Sequence, residues 1–175
     1  MNSPRWERFS EGSGSVGVEV IAFFEWLDAT PLATVSKAYG GVFAVVQMFH
    51  LLALALLGGA VLLADLRLLG LMLRDVPSEL IVSSTQRCFN LALLVIVLSG
   101  IFMSSAVAMK LYYNEMFWAK MVGLAFGVVF VYGIRLPLLR FAHASINPWA
   151  LRALAVTSLV VWFTVAASGR WIGFS

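Results

Sequence analysis

One imidazole lies inside an uncharged apolar run. His50 falls about ten residues into the stretch from Gly40 to Ala64, which has no Asp, Glu, Lys or Arg, and a polar side chain at such depth in lipid is expensive and often functional. Gln47 is one turn away on the same helix and is placed to bond a neighbour or the second ring nitrogen. Two chemistries suit a lone membrane histidine. Neutral imidazoles bond across helices as packing glue, and histidines inside four-helix bundles serve as axial ligands to haem b. The second reading needs a partner ligand. His143 follows the third apolar run and differs from His50 in depth by roughly 20 Å at 1.5 Å per residue, so the two do not share one haem. Met103 is the thioether available for a His–Met pair. At the expected depth of His50 lie Ser99 and Gly100, Gly127 and Val128, and Ser158 and Leu159; the small residues there either let helices approach or leave a slot for a flat macrocycle.

Copper is the second alternative chemistry. Met103, Met109, Met116 and Met121 gather around one connection, and thioethers suit Cu(I); methionine is also an ordinary filler of apolar helices. A further polar set is expected at the opposite boundary. Asp65 and Arg67 close the first run, and Arg87 and Arg135 approach from the second and third. Asp65 and Arg67 point to different faces, so Asp65 is expected to pair across the bundle with Arg135 or Arg87. Arg170, Lys110 and Lys120 are expected near the first boundary, meeting lipid headgroups or haem propionates. No Ser/His/Asp constellation, phosphate loop or HExxH motif occurs, so no enzyme chemistry is expected.

The elements that must carry these residues follow from composition. Of 175 residues, 61% are hydrophobic and 12% charged, about half the charge of soluble domains. The mean hydropathy of +0.92 places the chain in a bilayer. Four uncharged or nearly uncharged runs give spans at about 40–64, 88–109, 116–139 and 153–171. Lipid offers the backbone no partners, so each is a helix. The expected fold is all-α: a four-transmembrane-helix bundle, residues 40–175, preceded by a short amphipathic interfacial segment at 18–39 and a flexible polar tail at 1–17. Val20, Phe23, Phe24 and Leu27 form the apolar stripe of that segment. Thr30-Pro31 suits a cap and first turn, Gly40-Gly41 a break, and Asp75-Val76-Pro77-Ser78 a helix start.

The net charge of +3 is scattered and implies no nucleic-acid partner. The single cysteine, Cys88, excludes a disulfide framework. Six arginines flank the two connections between spans 1–2 and 3–4 (Arg67, Arg74, Arg87, Arg135, Arg140, Arg152), against Lys37, Lys110, Lys120 and Arg170 on the other side. That excess puts those connections in the cytoplasm and both termini outside a bacterial inner membrane.

Several words of the sequence resemble a known group. FFEWLDATPL, HLLALALLGGAVLLADLRLLGLMLR, LSG at Leu98–Gly100, FWAKM at Phe117–Met121 and the terminal SGRWIGF are similar to an uncharacterised family of small bacterial four-helix membrane proteins. That family is distantly like the membrane domain of copper-resistance D proteins. The resemblance runs from about Phe23 to Phe174 and implies architecture rather than activity. Members commonly carry an acidic residue where this chain has Gln47, and a late third-helix histidine where it has Arg135. The leading expectation is a b-type-cytochrome-like subunit with haem at His50, passing electrons to a partner or quinone. The alternative is a cofactor-free accessory subunit, as a homo-oligomer or within a larger membrane complex.

Overall fold

A computed structural model describes residues 5–141 and 147–171. Those residues are helical throughout apart from short connections, with no strand among them. The order is α1 (Arg5–Asp28), α2 (Pro31–Ala38), α3 (Gly40–Leu68), α4 (Ser78–Ala106), α5 (Ala108–Tyr112), α6 (Glu115–Val129), a π turn (Phe130–Arg135), α7 (Leu136–Phe141) and α8 (Pro148–Trp171).

Four of these segments are long and apolar enough to cross a bilayer: Gly40–Leu68, Leu80–Ala106, Glu115–Leu139 and Pro148–Gly169. Only 28% of the residues in each spanning window are buried. The remainder present Leu, Val and Phe outward, among them Leu52, Leu91, Val122, Val129 and Phe163. A soluble bundle would place polar residues there, so this surface suits lipid contact.

Local signals fix the element ends. Thr30 caps α2, its hydroxyl oxygen accepting from the Ala33 amide at 3.2 Å, with Pro31 at the first turn where its missing N–H is harmless. α3 restarts at Gly40 immediately after a break at Tyr39. At the other end, Gly70 takes φ +73° just past α3, the left-handed geometry that glycine accepts without strain. Arg67 then holds the turn closed, its Nε and Nη2 donating to the Val76 carbonyl at 2.9 and 2.8 Å.

One boundary differs from expectation. α1 extends back to Arg5, across residues expected to form a loose tail. Once a helical nucleus exists, each added residue needs only one further hydrogen bond, and that nucleus is anchored by Phe24. Its ring is buried beside Ala108 and Leu111, with Val20, Leu27, Met109 and Phe117 around it.

In the bundle α3 packs along α4 and α8, and α8 along α6. The core is small and aromatic-capped: Ala53, Leu57, Ala60 and Val61 of α3 meet Phe89, Ala92 and Ile96 of α4 and Trp162 of α8. Gly127 admits the last of these, since a Cβ there would meet the Trp162 ring at 3.3 Å. The α4 and π-turn sides join through Tyr132, whose hydroxyl lies 2.8 Å from Asn90 Oδ1.

Candidate functional site

Two interior levels carry the candidate polar residues. At the first, His50 of α3 is buried, with 8% exposure, and its Nδ1 lies 2.7 Å from Ser99 Oγ of α4. The same Ser99 hydroxyl lies 2.5 Å from the Val95 carbonyl one turn back. A serine has one proton to give: with it on the Val95 carbonyl, Nδ1–H donates to Ser99 Oγ, and with it turned to the ring, Nδ1 accepts. In the first arrangement the lone pair sits on Nε2, the atom a histidine offers to a metal when its other nitrogen is tied down.

Around this ring, Gly100 leaves ordinary contact space, a Cβ there falling 3.7 Å from His50 Cε1. Lys120 of α6 is half-buried, and its Cε and Nζ would lie 3.5 Å from a Cβ added to Gly169 of α8. No ion pair to Lys120 occurs among the described residues. Met103 is half-buried one turn beyond Ser99 on the same face of α4. Gln47 is exposed on the outer side of α3; the bond to His50 comes from Ser99 instead.

The depth of this site differs from the expected one. Asp65 of α3 is level with Arg135, and α3 and α6 run in the same direction, so fifteen residues earlier His50 is level with Lys120. Ser158, expected beside His50, faces Asp65 instead, and Gly127 lies about midway between the two levels. The reason is overhang: α3 starts about five residues beyond the level where α6 starts, and equal counting from the two ends misaligns them. His50 is thus about 7 Å below the start of α6 rather than at mid-depth.

At the second level Arg135 and Asp65 form an ion pair, Nη2 to Oδ1 2.5 Å, with side-chain exposures of 7% and 0%. The π turn makes this possible. Gly127, Val131, Arg135 and Leu139 recur every fourth residue and are all buried. In a regular helix twelve positions run about a third of a turn past the starting face; the wider π winding takes up that excess and keeps Arg135 inward. Ser158 of α8, fully buried, also faces the Asp65 carboxylate. Arg87 is exposed and Arg67 serves its own turn. His143 and the side chain of Arg170 lie outside the described residues.

The methionines are spread through ordinary packing. Met109 packs against the Phe24 cluster, and Met103, Met116 and Met121 are half-buried. Among the described residues no group of three or more His, Cys, Asp or Glu side chains is arranged to hold a metal ion.

Residues 23–175 match a family of unknown function, DUF6644, and the chain belongs to that family. No curated protein and no solved structure matches it.

Proposed function

We propose that the chain is a b-type-cytochrome-like subunit of the bacterial cytoplasmic membrane, with both termini on the outer side. In this reading His50 holds haem b through Nε2. The observation that carries it is the buried His50–Ser99 contact: Ser99 engages Nδ1 and orients the ring, which leaves Nε2 as the nitrogen able to ligate. Lys120, half-buried at the same level and without an ion pair among the described residues, is suited to a propionate. The group, when bound, supplies one-electron transfer to a partner or quinone; the protein positions one axial ligand and excludes water. The arginine-rich connections at 67–87 and 135–152 support the orientation.

A second reading has its own observation. Gly123 and Gly127, the glycines that could open a slot on α6, are already filled: a Cβ there would meet Val165 at 3.2 Å and Trp162 at 3.3 Å. With its helix faces consumed by packing, the chain would instead be a cofactor-free accessory subunit that associates through its outward apolar faces with copies of itself or a larger complex. In that case His50–Ser99 is an interhelical tie.

A visible spectrum of protein purified from haem-replete cells separates them. The haem reading expects a Soret band in the native protein that is lost in a folded His50→Ala variant and kept in Gln47→Ala. A colourless native preparation overturns it and leaves the accessory role.

A further inference from the structure

The ion pair at the π turn leaves polar atoms without protein partners. Asp65 Oδ2, Arg135 Nε, Ser158 Oγ and Trp162 Nε1 are all buried and lack a hydrogen bond among the described residues. The four side chains are more than nine-tenths buried. Asp65, Arg135 and Ser158 meet from α3, the π turn and α8, and Trp162 follows Ser158 by one turn on the same face of α8. An unmatched buried polar atom is destabilising by about 1–3 kcal/mol, and native interiors hold few of them. Three of them around one ion pair point to an occupant.

Its chemistry follows from the atoms. Asp65 Oδ2 needs a donor; the Arg135 Nε–H, Ser158 O–H and Trp162 Nε1–H groups need acceptors. The occupant must therefore both donate and accept within a small space, and carry no net charge, because Arg135 and Asp65 already neutralise each other. Beside the pair, a cleft lined by Ala64, Thr85, Phe89, Arg135 and Leu139 has room for about one water molecule.

We propose that the Asp65–Arg135 pair is hydrated: the bundle holds an internal water molecule that bridges α3, the π turn and α8. The water donates to Asp65 Oδ2 and accepts from Arg135 Nε–H and Ser158 O–H. Two or three such bonds are what internal waters make. The neighbouring cleft, with Thr85 and Gln86 on its α4 wall, is its route of exchange. The site is separate from His50 and stands whether or not haem is bound there.

Water-edited solid-state NMR of the uniformly labelled chain in lipid bilayers tests this. Polarisation from water should reach the Asp65 carboxyl carbon at short mixing times, several-fold faster than the methyl of Ala155, which is equally buried in α8 but apolar. Ser158→Ala should slow that build-up at Asp65, and Ser158→Val, which fills the space, should abolish it. An Asp65 build-up no faster than that of Ala155 in the native protein overturns the proposal. So does a build-up unchanged in both variants.

Discussion

Arg135 and Asp65 stand 70 positions apart in the chain, yet Nη2 of one lies 2.5 Å from Oδ1 of the other inside the bundle. The contact fixes the axial offset of α3 against the third span. The same offset brings His50 level with Lys120, so the ion pair at one level sets which residues meet at the other. The offset depends on the π turn, which keeps Arg135 facing inward.

Removing one partner of this pair should be far worse than removing both. Asp65→Ala or Arg135→Ala leaves a buried charge alone and should lower stability by about 3–5 kcal/mol. The apolar double variant Asp65→Leu/Arg135→Met removes both desolvation penalties and should recover most of that loss. Unfolding in mixed micelles with increasing SDS reads all three. Additive losses in the double variant would show that the two groups are not coupled.

The spans and their caps were legible because they depend on composition and on local chemistry: uncharged runs for the crossings, Thr30-Pro31 for α2, Gly40 for the restart. Asp65 was readable as a residue needing a cross-bundle partner, since lipid leaves a carboxylate few choices. The offsets between helices were not readable. Apolar windows show which residues tolerate lipid, while the sliding of one helix against another is decided by contacts such as Trp162 in the notch of Gly127. The π turn escaped for a related reason, as its sequence, FVYGIR, is as apolar as its surroundings; a spacing of four among the residues that face inward was its one trace. Gln47 was misplaced by adjacency alone. It shares a turn with His50, but faces outward.

Glycine positions should divide sharply by what their missing Cβ would touch. Gly127→Ala and Gly123→Ala push a methyl against Trp162 and Val165 at 3.3 and 3.2 Å, and overpacking of this kind is destabilising by about 1–3 kcal/mol. Gly100→Ala meets His50 at an ordinary 3.7 Å, and Gly58 and Gly59 have nothing within 4 Å. Those three variants should match or exceed the native melting temperature in detergent, since alanine favours helix by about 1 kcal/mol. A Gly127→Ala protein as stable as Gly58→Ala would contradict the packing of α8 on α6.

Phe24 should hold α1 without holding the bundle. Its ring is 5% exposed and meets Tyr112, Phe117 and Trp118 at centroid distances of 5.6–6.1 Å, all on or beside the connection into α6. Phe24→Ala removes about 3–5 kcal/mol of packing, and a helix without tertiary packing is only marginally stable. Hydrogen exchange should therefore accelerate in residues 18–28 and stay unchanged in the central turns of α3 and α4. Equal acceleration in both would show that α1 is part of the cooperative core.

The His50–Ser99 bond gives the last prediction, because it distinguishes a tie between helices from a ligand support. A double-mutant cycle of His50→Leu and Ser99→Ala isolates their coupling. As an interhelical tie alone, the bond should contribute about 0.6 kcal/mol, the average for such bonds in a membrane bundle. Ser99→Ala on its own should lose somewhat more, because Nδ1 of a buried ring is left without its partner. If His50 ligates haem, Ser99→Ala should also alter the iron: removing the acceptor from Nδ1–H lowers the basicity of Nε2 and lets the ring turn. The midpoint potential should then rise while the Soret band persists. A native potential in Ser99→Ala haem protein would mean that the serine neither orients nor tunes the ligand, and that the 2.7 Å contact is packing alone.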